Sequence, residues 1–213
     1  MLNRYISNTL LSVVLCSASS AFASTYTFSQ LLSNSNADVG PQLLVDVTDT
    51  GTGVNFQFTN TVGTSSSITA VYFQDVANAL FTSISNNVLG VNGESAGVNF
   101  SDGATPPNLP QGNTIGFSAT SSGDAASPSI PNGVDATGEY VNFLGALALG
   151  GNYNAVIQAL DAGQFRMALS VQSTNGRGAD RYISNPSAVP VPGAVWLFGS
   201  AIAGLAGMRR RKL

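Results

Sequence analysis

Short runs in which apolar and polar residues alternate dominate the middle of the chain. In residues 53–60, Val54, Phe56 and Phe58 alternate with polar residues, and this period of two predicts a strand with one buried face. Further apolar runs that predict strands lie at residues 43–47, 68–73, 80–84, 98–100, 114–119, 140–144 and 182–183. Turn dipeptides such as Asp102-Gly103 and Asn175-Gly176 lie between most of them. We therefore predict an all-β fold, an antiparallel, jelly-roll-like β-sandwich.

The clearest strand candidate is residues 164–172. Its apolar positions, which should point to the core, are Phe165, Met167, Leu169 and Val171. Its other positions, which should form a wet face, are Arg166, Ala168, Ser170 and Gln172. On that face Arg166, Ser170 and Gln172 either line a ligand groove or are ordinary solvated side chains.

One segment of the body has the helical period instead. Its apolar residues stand at i, i+3, i+4 and i+7 and are Tyr153, Val156, Ile157 and Leu160. Asn152 or Asn154 can cap the start of this helix, and Gly163 can end it. The sequence thus predicts one short helix before the clearest strand.

The N-terminus has the pattern of a secretory signal peptide. Arg4 is the one positive charge, residues 10–15 form a short apolar run, and Ala21 and Ala23 make an A-x-A cleavage site. We expect signal peptidase to remove residues 1–23. Cleavage would remove Cys16, the only cysteine of the chain, so the mature protein would need no disulfide.

The C-terminus, residues 189–213, combines a proline motif, an apolar stretch and a basic tail. Residues 194–208 carry no charge and as a helix would span about 22 Å, a short transmembrane helix with Trp196 at the interface. Its stop-transfer cluster should stay cytoplasmic and consists of Arg209, Arg210, Arg211 and Lys212. Prolines keep residues 189–192 extended, the form that a protease cleft binds.

This tail resembles the PEP-CTERM sorting signals of Gram-negative bacteria, most closely the variant that begins V-P-L-P-A. The matching positions include Val189, Pro190, Pro192, Trp196, Phe198 and Gly199, followed by the basic cluster. The sequence departs from the motif at Val191 and Gly193. The resemblance implies recognition by an exosortase, a membrane-embedded, transpeptidase-like enzyme that cuts near the prolines. It also implies a link to exopolysaccharide and biofilm.

Composition excludes several classes of protein. Gly, Ser, Asn and Thr number 23, 26, 19 and 16, so uncharged small and polar residues dominate, and the chain has no His. A Ser-His-Asp or Cys-His centre and a Cys/His zinc site are therefore excluded. Residues 24–188 contain three arginines and eleven carboxylates, a net charge of −8, which argues against a nucleic-acid partner.

The remaining candidates for chemistry are carboxylates and aromatics. Asp46 with Asp49, and Asp135 with Glu139, could serve as acid–base pairs, although solvated turn residues explain them better. Residues 132–139 could also hold calcium, but they match no calcium-loop motif, so we expect no cofactor and leave calcium open. Exposed aromatics that could stack on sugars are Tyr26, Phe28, Tyr72 and Tyr140, although core packing explains them equally well.

We therefore predict three parts: a signal peptide (1–23), a secreted ectodomain (24–188) and a sorting segment (189–213). The precursor would be anchored in the inner membrane, and the product would reach the cell surface or the extracellular matrix. We expect a non-enzymatic protein with no catalytic residues. The alternatives are a carbohydrate-binding module that acts in the exopolysaccharide and, ranked last, a secreted hydrolase.

Overall fold

The computed structural model describes residues 23–88 and 91–185. One α-helix, α1 (Tyr153–Asp161), accompanies the strands. In chain order the strands are β1 (Ala23–Leu32), β2 (Leu43–Asp49), β3 (Gly53–Asn60), β4 (Ser67–Asp75), β5 (Phe81–Ser85), β6 (Asn87–Val88), β7 (Val91–Asn92), β8 (Phe100–Asp102), β9 (Ser121–Ala125), β10 (Tyr140–Leu147), β11 (Phe165–Thr174) and β12 (Arg177–Ser184). The predicted all-β fold with one short helix is confirmed.

Ten of the strands form one continuous antiparallel sheet in the order β5-β10-β3-β2-β1-β12-β11-β4-β9-β8. Strand β1 joins its two halves, because residues 23–27 pair with β2 and residues 28–32 pair with β12. The sheet curls around a single interior and is barrel-like. The remaining two strands, β6 and β7, form a small hairpin.

The interior is filled by phenylalanine rings from both halves of the sheet. Val54, Phe56 and Phe58 of β3 are fully buried, as their alternation predicted. The ring centroid of Phe73 on β4 lies 5.4 Å from that of Phe56 and 5.3 Å from that of Phe143 on β10. These cross-sheet contacts hold the two halves together through packed aromatic surface.

Helix α1 covers one end of this interior. Its N-cap is Asn152, whose side chain accepts a hydrogen bond from the Ala155 amide, and Gly163 follows it with a positive φ. Tyr153, Val156 and Leu160 are buried, which confirms the predicted apolar stripe. The Tyr153 hydroxyl donates to the Val47 carbonyl at 3.1 Å, so the helix is bound to β2 as well as packed on the core.

The prediction of a strand at residues 114–119 is wrong. A 3-10 helix occupies Gly112–Ile115, and residues 116–120 cross the outer face of β4 and β11. Leu109 and Phe117 are buried there with Tyr72 and Ala168 in a second apolar cluster. The predicted wet face of β11 is therefore largely covered: Ala168 is fully buried and Ser170 is 6% exposed.

Most of the two predicted targeting segments lies outside the described residues, including Ala21, residues 189–199 and the basic cluster 209–212. Ala23 is described and is the first residue of β1. Among the helices in residues 23–88 and 91–185, none is long and apolar enough to cross a membrane.

Candidate ligand groove

The two edge strands of the ten-stranded sheet, β5 and β8, approach each other at a seam that side-chain hydrogen bonds bridge at its ends. At one end, Oδ1 of Asp102 on β8 accepts a hydrogen bond from the Asn86 amide at 2.7 Å. The other oxygen of Asp102 accepts a hydrogen bond from the Ser85 hydroxyl at the end of β5. Hydrogen bonds to the Asp102 carboxylate thus connect β5 and β8, the two edges of the barrel-like sheet, in place of strand pairing.

A second aspartate holds the opposite end of the seam. Oδ2 of Asp75, the last residue of β4, accepts from the Leu80 amide at 2.7 Å, which fixes the start of β5. The Asp75 amide donates to the Thr120 hydroxyl at 3.1 Å. Asp75 therefore links both walls of the seam: the residues that lead into β5 and those that lead into β9.

Between these aspartates runs an open cleft, which we call the seam groove. It consists of cavities of about 390 and 360 Å³ connected by one of about 100 Å³, and Thr120 lines all three. Hydroxyl and amide groups line much of it and belong to Gln74, Asn78, Thr82, Ser83, Ser118, Thr120, Ser121 and Ser122, while Ile84, Pro107 and Ala119 add apolar surface beside Asp102. Phe81 and Val76 add apolar surface near Asp75, and Val76 is 53% exposed.

The Asp75 carboxylate is only half satisfied. The residue is 5% exposed, yet its Oδ1 atom is buried and has no hydrogen-bond partner in the described part of the chain. A buried acceptor without a partner costs about 1–3 kcal/mol, and more when it is charged. An unsatisfied buried group calls for an explanation, and a donor supplied by a bound ligand is one such explanation.

A second, smaller cavity of about 160 Å³ lies on the outer face of β4, β9, β11 and β12. Strand pairing places Asp124, Ala70, Ser170 and Arg181 in one row across these strands. The small side chains of Ala70 and Ser170 leave a depression between the two charged ones. Burial lowers the pKa of Arg181, whose Nη1 donates to the Asp180 carbonyl at 2.9 Å.

The ligand groove that Arg166, Ser170 and Gln172 could have lined is assembled only in part. Ser170 and Gln172 line the smaller cavity. Arg166 instead binds the covering segment: Nη1 donates to the Ile115 carbonyl at 3.1 Å, and Nε donates to Gln74 at 2.8 Å. Its guanidinium carbon lies 5.5 Å from the ring centroid of Phe117, so Arg166 has a structural role here.

The aromatic residues considered for sugar stacking are mostly in the interior. Tyr26, Phe28 and Tyr72 are 1%, 4% and 1% exposed, and only Tyr140 is half-buried. The alternative explanation for the first three, core packing, is therefore correct. Burial is the largest cause that raises the pKa of both Tyr26 and Tyr72.

The two carboxylate pairs make local hydrogen bonds. Asp46 accepts from the Thr25 hydroxyl on the neighbouring strand β1, and Asp49 accepts from the Gly51 amide at 2.8 Å in the turn after β2. Glu139 closes the turn before β10, since its Oε2 accepts from the Asp135 amide at 2.8 Å. Burial, followed by the nearby Glu139 charge, raises the pKa of the Asp135 carboxyl. Nowhere in residues 23–88 and 91–185 do three or more acidic side chains form a group that could hold a metal ion.

Comparisons with protein-family models, curated proteins and solved structures find no match to this chain. The features of this chain that point to a function are therefore the seam groove and the two terminal segments. Sequence reasoning missed the groove, although Asp75 carried a signal. It stands two positions after the apolar run 68–73, at the end of a buried strand.

Proposed function

We propose that this chain is an exported surface or matrix protein that a signal peptidase and then an exosortase-type enzyme process. The observation that carries the proposal is the C-terminal order of proline motif, apolar stretch and basic cluster at residues 189–213.

The strand that follows the proposed cleavage site lies next to Asn185, because the Asn185 amide donates to the Thr27 carbonyl at 2.9 Å. We also propose that the barrel-like sheet is flattened into two layers, as in a jelly-roll-like sandwich, with β1 shared between them.

The test is the intact mass of the protein recovered from cells and from medium of its native host. We expect a chain that starts at Ser24 and ends within residues 189–193. Pro192→Ala should reduce the processed form, whereas Pro186→Ala, outside the motif, should leave it unchanged. A mature mass that still includes residues 209–213 would refute the sorting proposal.

Within this proposal the protein acts without catalysis, as a structural part of an exopolysaccharide matrix. One member of each carboxylate pair, Asp49 and Glu139, accepts hydrogen bonds from the backbone amides of a turn. Hydrolysis of the host's polysaccharide by the purified protein, lost in Asp135→Asn, would contradict this view.

A second candidate function is carbohydrate binding, which the seam groove favours. Its hydroxyl-rich lining, its length and its half-satisfied carboxylate suit a ligand with many hydroxyl groups. Retardation of the protein in gels that contain the host's own polysaccharide tests this function. Equal mobility with and without the polymer would reject it.

A further inference from the structure

We propose that the seam groove binds an uncharged polysaccharide chain and that Asp75 accepts a hydrogen bond from a sugar hydroxyl. This inference rests on the second candidate function, carbohydrate binding, and is independent of how the protein is sorted. It names the binding site, the charge of the ligand and the residue that anchors the ligand.

The Asp75 carboxylate has one oxygen that can accept a further hydrogen bond. One carboxylate oxygen binds the Leu80 amide, and the other, Oδ1, is buried with no partner in the described residues. Asp75 lines both the cavity of about 390 Å³ and the connecting one. A hydroxyl group is a small donor, and a hydrogen bond from a neutral donor to a carboxylate is stronger than one between neutral groups.

The shape of the seam groove also suits a sugar chain. The wall formed by β5 has five residues and is about 17 Å long, enough for a short run of sugar units. Sugar rings have polar rims and apolar C–H faces. Ser83 and Ser121 offer hydroxyl groups to the rims, while Phe81 and the exposed Val76 offer apolar surface to the faces.

The charge of the seam groove favours an uncharged ligand. The groove has a carboxylate at each end, Asp75 and Asp102, and no described basic side chain lines it. The surrounding body has a net charge of −8. A polymer of uronic acids would be repelled by this field, so an uncharged chain is the better fit.

The experiment is isothermal titration of the full-length protein in detergent micelles. The probes are neutral hexamers of β-1,4-, β-1,3- and α-1,4-linked glucose, the neutral fraction of the host's polysaccharide, a galacturonate hexamer and a chitosan hexamer. We expect saturable binding of at least one neutral probe and none of galacturonate. Asp75→Asn should weaken that binding at least tenfold, and Ser83→Leu, which fills the groove, should abolish it.

Asp124→Asn is the matched control, because it makes the same chemical change in the smaller cavity and should leave binding unchanged. Thermal melting separates a binding role from a structural one. Asp75→Asn keeps an acceptor for the Leu80 amide and removes a buried, half-satisfied charge, so its melting temperature should stay equal or rise.

Each other outcome overturns a defined part of the proposal. If none of the probes binds, carbohydrate binding itself fails. If neutral probes bind but Asp75→Asn behaves like the unmodified chain, or Asp124→Asn causes the loss, the groove is the wrong site. If only galacturonate or only chitosan binds, the inference of an uncharged ligand is wrong.

Discussion

The hydroxyl of Ser35 donates a 2.6 Å hydrogen bond to Oδ2 of Asp180, although 145 positions separate the two residues in the chain. Oδ1 of Asp180 accepts from the Asn34 and Ser35 amides at 2.6 and 3.0 Å. Asp180 is fully buried in β12, and this cluster ties the segment after β1 to the strand beside it. Burial alone would raise the pKa of Asp180, but the hydrogen bonds from Ser35 and Asn34 outweigh it and lower the pKa.

Ser35→Ala should destabilise the fold, because a buried carboxylate loses a donor that water cannot replace. The expected loss is about 1–3 kcal/mol of unfolding free energy, measured by urea denaturation at pH 7. Ser118→Ala removes an exposed hydroxyl and should change stability little. Equal stability of the two variants would show that the Ser35 hydroxyl contributes nothing.

The same cluster predicts acid sensitivity. The pKa of Asp180 is lowered in the folded state. The stabilisation that the ionised side chain gives the fold is therefore complete above its pKa in the unfolded chain, about 3.8, and is lost as pH falls through the folded pKa. Asp180→Asn should be less stable than the unmodified chain at pH 7, and the gap should shrink below pH 3.8. Melting temperatures between pH 2 and 7 measure this gap; a gap that does not narrow in acid would contradict the assignment.

Gly123→Ala tests how tightly the phenylalanine core is packed. A Cβ atom at Gly123 would lie 2.7 Å from two atoms of the Phe143 ring and 2.9 Å from the Ser101 carbonyl oxygen. Because Phe143 is packed against Phe73 and Phe58, it cannot move freely, and overpacking should cost about 1–3 kcal/mol. Ser121→Ala on the same strand is the control. Unchanged urea midpoints for Gly123→Ala would mean that the core can relax at this point.

The sequence correctly predicted those elements in which the pattern of apolar residues matches the face that is buried in the core. The alternation in residues 53–60 and the capped helical stripe after Asn152 predicted β3 and α1, because one side of each faces the core. It failed at residues 114–119, where apolar residues cover the outside of the sheet. A sequence pattern cannot tell which face of a strand another segment will cover. The groove was missed for a related reason, since its walls come from residues about forty positions apart.

Arg166 gives the most direct test of that covering segment. Its guanidinium donates to the carbonyls of Ile115 and Gly116, and to the Gln74 side chain. Arg166→Met keeps the apolar part of the side chain but loses these bonds, so we expect about 2 kcal/mol of lost stability. Hydrogen exchange should show where the loss occurs. Amides of residues 112–119 should exchange faster, whereas those of β3, in the other half of the sheet, should change only through the drop in global stability. If residues 112–119 keep their protection in Arg166→Met, apolar contacts of Phe117 and Leu109 alone hold the segment on the sheet.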